Sequence, residues 1–243
     1  MPDEKIAILS TRPLEQSLIM QATANNIEID ITSFIITEPV RNNSLKTRIT
    51  ESFDELSPVV FTSMNAAEAV AGYLAGTKPR WKIYSLGTAT KNIIRQHFPL
   101  SKIIGEAENA LSLANKIIMN KEKAVIFFCG DVRRDELPHK LASHNIHLEE
   151  IVVYKTITTS EKIEKAYDGI LFFSPSAVES FFSLNTISDN TILFAIGTTT
   201  SGCIRRYSNN KIIESDYPGK KKLVEKSIDY FAKLNQPNEH IKK

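Results

Sequence analysis

The sequence predicts an α/β protein with two doubly wound lobes of parallel sheet, related by an internal duplication. Three observations indicate this fold. Short apolar runs are typical of buried parallel strands, segments with helical periodicity separate them, and two motifs recur in the same order further along the chain. With 243 residues, the chain is long enough for one large domain or two small ones.

Most of the predicted strands are short runs of Val, Ile, Leu and Phe without alternating polar residues. Continuous apolar runs of this length are typical of parallel strands that are buried on both faces of a sheet. The predicted strands are Ile6–Ser10, Ile29–Thr37, Val59–Thr62, Lys82–Leu86, Ile103–Gly105, Ala124–Cys129, Glu150–Tyr154, Gly169–Phe173, Ile192–Ile196 and Lys211–Ile213.

Segments between these strands show the 3.6-residue periodicity of amphipathic helices. Examples are Ala66–Leu74, Ala89–His97, Ala177–Phe182 and Lys221–Leu234. Strand, helix and strand in succession predict βαβ units and therefore doubly wound sheets.

Two motifs recur in the same order at nearly the same spacing. Residues 61–68 resemble residues 172–179 at an offset of 111, and residues 85–90 resemble residues 195–200 at an offset of 110. The general preference of strand-to-helix turns for Ser, Gly and Thr explains the composition of these motifs but not their matched spacing. The repeat therefore predicts a duplicated structural unit.

A third repeated unit is out of order. Residues 8–13 open the chain, whereas the similar residues 127–134 follow the first copy of the other two motifs. The simplest account is that one lobe is inserted into the other, so that residues 38–155 form the inserted lobe. Residues 1–37 and 156–243 then form a discontinuous lobe, and we expect the ligand to bind in the cleft between the lobes.

Composition and charge exclude several classes of protein. With 42% hydrophobic and 24% charged residues the chain is not disordered, and a net charge of +2 predicts no nucleic-acid partner. The first apolar run is too short for a signal peptide, and no apolar run is long enough to span a bilayer. We therefore expect a cytoplasmic protein without a membrane partner. Cys129 and Cys203 lack CxxC spacing, which predicts reduced, buried thiols and no metal site.

The predicted strands are followed by small hydroxyl or glycine turns that open helices. Helix amino termini offer free backbone N–H groups, and such turns bind carboxylates or phosphates. Helix capping explains any single turn equally well, but several turns from two lobes favour a ligand rich in anions. The candidate binding residues in these turns are Ser63, Thr88, Thr90, Gly130, Ser174, Ser176, Thr199 and Thr200.

Arginines and one tyrosine are further candidates. Arg12, Arg133 and Arg134 follow predicted strands and can pair with carboxylates in a bidentate manner, although Arg134 is equally well explained as a solvated helix charge. Tyr154 closes the last predicted strand of the inserted lobe and points towards the cleft or packs as an ordinary aromatic residue. The chain has no GxGxxG or P-loop motif and no Ser-His-Asp arrangement, which disfavours nucleotide binding and hydrolysis.

Taken in order along the chain, these residues resemble the uroporphyrinogen-III synthase family. This chain departs from the common family pattern at Thr198, where proline is usual, and at Cys129, where arginine is frequent. The residues that carry the resemblance are Thr11-Arg12-Pro13, Phe61-Thr62-Ser63, Leu86-Gly87-Thr88-Ala89-Thr90, Cys129-Gly130 with Arg134 and Leu137, Val153-Tyr154, residues 173–178, and Ala195-Ile196-Gly197 with Thr199-Thr200.

The resemblance implies two lobes joined by a two-stranded connection and a lyase of heme and porphyrin biosynthesis. The family cyclises the linear tetrapyrrole hydroxymethylbilane, which carries eight carboxylates, with loss of water and inversion of the last pyrrole ring. It uses no metal and no cofactor, and we expect a monomer. By the same resemblance, Tyr154 assists departure of the hydroxyl group, Thr90, Thr199 and Thr200 position the substrate, and Ser63 and Ser174 hold carboxylates.

Two other functions were weighed against the synthase. A non-catalytic two-lobed module that binds a tetrapyrrole or another polyanion would keep the cleft without turnover. Such a regulator usually carries an added effector domain, and the short tail after the last predicted helix leads us to expect the enzyme. A nucleotide-sugar transferase predicts a diphosphate site with an acidic residue for a ribose, and the sequence has no convincing example.

Overall fold

The structure is a computed structural model that describes residues 5–74, 76–217 and 219–234. Contacts divide the chain into two compact units. We call residues 37–157 the inserted unit and residues 1–36 with 158–243 the discontinuous unit. The predicted inserted lobe, residues 38–155, starts one residue later and ends two residues earlier than the inserted unit.

Strands and helices alternate along most of the described chain. In chain order the elements are β1 (Ile6–Ser10), α1 (Gln16–Thr23), β2 (Ile27–Ile31), β3 (Ile35–Pro39), α2 (Asn43–Glu51), β4 (Val59–Phe61), α3 (Met64–Leu74), β5 (Lys82–Leu86), α4 (Thr88–His97), β6 (Lys102–Ala107), α5 (Ala110–Met119), β7 (Ala124–Gly130), α6 (Glu136–Ala142), β8 (His147–Thr158), β9 (Gly169–Phe172), α7 (Pro175–Phe182), β10 (Ile192–Ala195), α8 (Thr198–Ile204), β11 (Ile212–Glu214) and α9 (Lys220–Leu234).

The sheet of the discontinuous unit has the order β11-β10-β9-β1-β2, and its strand pairs are parallel. Helices α1 and α9 supply apolar side chains to one core layer, and α7 and α8 supply them to another. Continuous apolar strands suit this arrangement because both faces of the sheet are covered. This unit therefore has the doubly wound architecture that the sequence predicts.

The sheet of the inserted unit has the order β3-β8-β7-β4-β5-β6. Strands β8, β7, β4, β5 and β6 pair in parallel, and β3 lies at the edge beside β8. Helices α2, α3 and α4 cover one face, and α5 and α6 cover the other. The predicted α/β class with parallel sheets is thus confirmed.

The strands that carry the repeated motifs occupy matching places in the two sheets. The order β11-β10-β9-β1-β2 has the same relative arrangement as β6-β5-β4-β7-β8. The strand beside the first motif strand comes from earlier in the chain in the discontinuous unit, where β1 lies beside β9. It comes from later in the chain in the inserted unit, where β7 lies beside β4. Insertion of a permuted copy requires this difference. A common origin of the two units remains a prediction.

The prediction of one long strand over Ile29–Thr37 was wrong. The segment contains the end of β2 and most of β3, which belong to different sheets. Between them Phe34 is fully buried and packs edge-to-face on Phe181 at 5.2 Å between ring centroids, while its carbonyl accepts a hydrogen bond from the Thr159 backbone N–H. The polar residues Thr32 and Ser33 lie at the break, but Asp30 and Thr37 interrupt the segment as well, so composition does not single out the point where the pairing partner changes.

Strand β8 is longer than the predicted strand Glu150–Tyr154, because it runs from His147 to Thr158. It has a neighbouring strand on each side, β7 and β3, which keeps the backbone extended beyond the apolar residues. Tyr154 therefore lies inside the strand, and the expectation that it closes the strand was wrong.

An aromatic layer forms the centre of the inserted unit on the α3 face. The Phe61 ring stacks on Phe128 at 5.3 Å and on Phe98 at 5.6 Å, and Trp81 packs on Phe128 at 5.7 Å. Aromatic rings bury large areas and stabilise a core strongly. The layer fixes strands β4 and β7 side by side, and the candidate site lies at the carboxyl ends of these strands.

Ser85 places an unpaired hydroxyl in this layer. Its Cα pairs with Phe61 across β4 and β5, the residue is fully buried, and its Oγ has no hydrogen-bond partner among the described residues. The corresponding residue of the other sheet is the buried Ala195. An unpaired buried hydroxyl destabilises the folded state because its bonds to water are lost.

We expect Ser85→Ala to raise the free energy of unfolding by about 1 kcal/mol, measured by denaturant unfolding. The control is Ser52→Ala, because Ser52 is equally buried but donates to the Ile49 carbonyl at 2.6 Å. That variant is expected to lower stability by about 1 kcal/mol. If Ser85→Ala instead lowers the free energy of unfolding, the Ser85 hydroxyl has a hydrogen-bond partner in the folded protein.

Both cysteines are free and buried. Burial raises the pKa of the Cys129 thiol to about 11, so this thiol is neutral at physiological pH. Within residues 5–74, 76–217 and 219–234, no helix has the combination of length and apolar composition that a membrane crossing needs.

Candidate active site

Tyr154 is held at the carboxyl end of the central strands of the inserted unit. Its side chain is 9% exposed, and its hydroxyl donates a hydrogen bond to Ser63 Oγ at 3.3 Å. Burial raises the pKa of Tyr154 above its ordinary value, more than the Ser63 hydrogen bond lowers it. The phenol therefore keeps its proton at neutral pH and can donate it.

Gly130 makes room for the Tyr154 ring. Gly130 ends β7 and pairs with Tyr154 on β8. A Cβ at this position would lie 2.4 Å from Tyr154 Cζ and 2.7 Å from its hydroxyl oxygen, which is far inside van der Waals contact. The structure thus gives Gly130 a packing function, and the predicted contact of Gly130 with substrate remains a prediction.

Ser63 connects this tyrosine to the start of a helix. It lies two residues after the end of β4 and immediately before α3, and its Oγ accepts a hydrogen bond from the Asn65 backbone N–H at 3.2 Å. The same oxygen accepts a hydrogen bond from the Tyr154 hydroxyl. Two donors thus converge on the Ser63 hydroxyl, which donates to no other residue in the described part of the chain and can offer its proton to an anion.

Thr88 and Thr90 lie in the first turn of α4, after Gly87. Gly87 has φ = 75°, a conformation that glycine adopts readily and that lets the chain turn sharply from β5 into the helix. Thr88 is exposed, whereas Thr90 is only 5% exposed. Thr88 can therefore contact a ligand directly, whereas Thr90 is buried in this structure.

The helix starts of the discontinuous unit also combine exposed and buried hydroxyl side chains. Ser174 caps α7 by accepting from the Ala177 backbone N–H at 3.2 Å, and Ser176 is half-buried in the first helical turn. On α8, Thr199 is exposed, whereas Thr200 is only 3% exposed. Ser174 thus caps its helix, which is the alternative to anion binding that the sequence leaves open. Thr199 offers an accessible hydroxyl.

The candidate arginines differ in their partners. Arg133 hydrogen-bonds to the carboxylates of Glu150 and Asp135. Arg12 and Arg134 are exposed, and neither forms an ion pair with another described residue. Arg133 is therefore neutralised within the fold, whereas Arg12 and Arg134 have guanidinium groups available for an anionic ligand.

Sequence reasoning missed one residue of this site, Asp131. Its Oδ1 accepts hydrogen bonds from the backbone N–H groups of Val132, at 2.9 Å, and Thr156, at 2.8 Å. Its own N–H donates to the Tyr154 carbonyl at 3.1 Å. The Gly130-Asp131 pair after an apolar strand is the only sequence signal, and a turn explains it equally well.

The family of the chain follows from a sequence model described as uroporphyrinogen-III synthase HemD, which matches residues 17–225. The chain belongs to the uroporphyrinogen-III synthase family. The match spans most of both units and includes Ser63, Gly130 and Tyr154. It confirms the resemblance found in the sequence.

Curated relatives of the family are distant. The chain is 32% identical over 127 residues to the uroporphyrinogen-III synthase of Saccharomyces cerevisiae, an alignment that covers 49% of this chain and 43% of the yeast enzyme. It is 25% identical over 171 residues to the synthase of Chlorobaculum parvum, covering 61% and 69%. An uncharacterized protein of Rickettsia prowazekii is 23% identical over 230 residues, covering 95% of this chain and 76% of that protein.

Solved structures of the family share the fold. The uroporphyrinogen-III synthetase of Helicobacter pylori superposes with a TM-score of 0.69 at 14% identity, covering 93% of this chain and 99% of that one. A mutant uroporphyrinogen III synthase from Thermus thermophilus gives a TM-score of 0.62 at 10% identity, covering 95% and 100%. At these identities the similarity supports the fold alone.

Proposed function

We propose that the chain is a uroporphyrinogen-III synthase that cyclises hydroxymethylbilane to uroporphyrinogen III, a lyase reaction of tetrapyrrole biosynthesis. Family membership supports this reaction class. The observation that carries the proposal is the buried, protonated phenol of Tyr154, oriented by Ser63 at the strand ends where parallel sheets bind ligands. A module that only binds its ligand has no need for a positioned proton donor.

In the proposed reaction, Tyr154 acts on the hydroxymethyl group at the end of the linear substrate. The C–O bond breaks, the phenol proton leaves with the oxygen as water, and the pyrrole becomes an azafulvene cation. The substituted carbon of the last ring attacks the methylene carbon of this cation, which gives a spiro intermediate. The bond from that ring carbon to its original methylene then breaks, and the released methylene cation bonds to the free α-carbon of the same ring, which inverts the ring. The proton that the closed macrocycle finally loses restores the phenol, so the products are uroporphyrinogen III and one water.

Substrate carboxylates are proposed to bind the accessible cations and helix starts of each unit. Arg134 and Thr88 lie on the inserted unit, and Arg12 and Thr199 lie on the discontinuous unit. Each group is exposed, and charge-assisted hydrogen bonds from arginine to carboxylates are the strongest that these side chains make. Several weak contacts along a long polycarboxylate would hold its end ring in the geometry for attack.

The arginines give a direct test of substrate binding. We expect Arg134→Gln to raise KM for hydroxymethylbilane about tenfold, which corresponds to the loss of one charge-assisted bond of about 1.4 kcal/mol. Arg133→Gln is the matched control, and its KM is expected to stay within about threefold of the wild type because Arg133 is already paired. Initial rates over a range of substrate concentrations measure both, and a larger effect in the control would contradict the assignment.

The proposed function is tested by product analysis. Purified protein is incubated with freshly made hydroxymethylbilane, and the oxidised porphyrins are separated by isomer. The synthase produces the type III isomer, whereas uncatalysed closure produces type I. Protein that binds the substrate and leaves type I as the sole product would instead be a tetrapyrrole- or polyanion-binding module.

A further inference from the structure

Strand β8 contains a β-bulge immediately before Tyr154. Residues 124–129 of β7 pair in step with residues 147–152 of β8, but Gly130 pairs with Tyr154. Val153 is therefore the extra residue on β8, and its carbonyl accepts a hydrogen bond from the Val40 backbone N–H on the other side of the strand. Bulges of this kind occur next to active sites, where they redirect a side chain.

The bulge determines which face of the sheet Tyr154 lies on. Val152 pairs with Cys129, whose side chain belongs to the core layer on the α5 and α6 face. With regular alternation, Tyr154 would share that face with Val152, because side chains alternate along a strand. The extra residue places both Val153 and Tyr154 in the layer on the α3 face, the face that carries Ser63 at the start of α3.

Asp131 binds the β8 backbone at the redirected tyrosine and two residues after it. Strand β7 ends at Gly130, so the β8 backbone beyond Tyr154 has no further β7 residue to pair with. The Asp131 backbone N–H donates to the Tyr154 carbonyl, and its carboxylate accepts from the Thr156 N–H at 2.8 Å. The Asp131 carboxylate oxygen thus replaces the backbone carbonyl that a longer β7 would offer to the Thr156 N–H.

We infer that Asp131 is a positioning residue of the cyclisation, which holds the bulged strand so that the Tyr154 hydroxyl meets Ser63. The inference rests on the proposed function of Tyr154. Asp131 is exposed, and its carboxylate stabilises no charged partner among the described residues. Its charge is the smallest of the influences on the pKa of Tyr154, after burial and the Ser63 hydrogen bond. The main contribution of Asp131 is therefore geometric, and a neutral side chain with the same acceptor oxygen replaces it.

The test compares three variants of the full chain. Asp131→Asn keeps an acceptor oxygen in place, Asp131→Ala removes it, and Asp131→Glu keeps the charge but shifts the carboxylate by one methylene. The orientation of Tyr154 is observed directly by NMR of protein labelled with ¹³C at the tyrosine Cζ atoms, with the Tyr154 resonance assigned by its absence in Tyr154→Phe. Steady-state kinetics with hydroxymethylbilane are measured on the same samples.

We expect Asp131→Ala to move the Tyr154 resonance and lower kcat by at least about tenfold with little change in KM, because small misplacements of a catalytic group are costly. Asp131→Asn is expected to match the wild type in both measurements. Asp131→Glu is expected to move the resonance as well, and it provides the test if Asp131→Ala does not fold.

An unmoved Tyr154 resonance in a folded Asp131→Ala or Asp131→Glu variant would overturn the inference, whatever its activity. A normal resonance with lowered kcat in Asp131→Asn would also overturn it, because the charge would then act on the reaction directly. Failure of the proposed function is distinct, since it appears as an inactive wild type or a fully active Tyr154→Phe variant. In that case the resonance still decides whether Asp131 orients the ring.

Discussion

Tyr154→Phe is expected to lower kcat by about 100-fold or more, because a positioned general acid contributes roughly that factor. The variant keeps the ring that packs over Gly130 and removes the hydroxyl that donates to Ser63. The KM for hydroxymethylbilane is expected to change little, since the departing oxygen needs the proton in the transition state. The measurement is the initial rate at saturating substrate.

Tyr84→Phe is the matched control for this substitution. Tyr84 is fully buried on the neighbouring strand β5, and its hydroxyl donates to Glu122 Oε1 at 3.0 Å, in the layer on the opposite face. Loss of that hydroxyl is expected to reduce stability by about 1 kcal/mol and to leave kcat unchanged. A Tyr154→Phe variant with activity within about threefold of the wild type would remove Tyr154 from its role as acid.

The raised pKa of Tyr154 predicts the direction in which the activity changes with pH. An acid whose pKa is raised keeps its proton to a higher pH than the free side chain, so its contribution is present at neutral pH and is lost as pH rises. The activity that depends on Tyr154 is therefore expected to persist at least to the ordinary tyrosine range near pH 10. A loss of that activity between about pH 6 and 8 would point to a different acid.

Gly130→Ala is expected to have the second large effect, a loss of activity comparable to that of Tyr154→Phe. The new methyl group would lie 2.4 Å from Tyr154 Cζ, so the ring must leave its position over β7. Movement of the ring separates the hydroxyl from Ser63 and misplaces the proton donor. Overpacking is also expected to lower the free energy of unfolding by about 1–3 kcal/mol.

Gly72→Ala controls for the general effect of adding a methyl group. Gly72 lies in α3, and a Cβ there meets no atom within 4 Å. Alanine is expected to stabilise that helix by up to about 1 kcal/mol with no loss of activity. Wild-type activity in Gly130→Ala would show that the position of the Tyr154 ring does not limit the reaction.

The strands were predictable where an apolar run stays within one sheet. Ile6–Ser10 matches β1, which lies between the polar residues Lys5 and Thr11, and Lys82–Leu86 matches β5, which starts at a charged residue and ends before Gly87. Ile29–Thr37 failed because the chain passes from one sheet to another at Thr32 and Ser33, and these residues do not stand out from Asp30 and Thr37 in the same segment. Periodicity reports how a segment is buried, whereas it does not report which strand pairs with it.

The candidate site was predictable in its residue types and less so in its contacts. Small hydroxyl and glycine turns identified Ser63, Gly130 and Ser174, and the family resemblance identified Tyr154. The meeting of Tyr154 with Ser63 depends on a register shift of one residue, which leaves no pattern in the sequence. Arg133 is paired because Glu150 and Asp135 lie beside it in the fold, whereas Arg134 forms no ion pair with a described residue. The sequence does not show this difference.

The type III fraction of the cyclised product, measured as a function of protein concentration, tests the central claim most directly. Freshly made hydroxymethylbilane closes spontaneously to type I, so the two reactions compete in the same tube. The account predicts that the type III fraction rises towards one as the wild-type chain is added, and that the Tyr154→Phe variant needs about 100-fold more protein for the same fraction. A product that stays type I at every concentration of folded wild-type protein would contradict it.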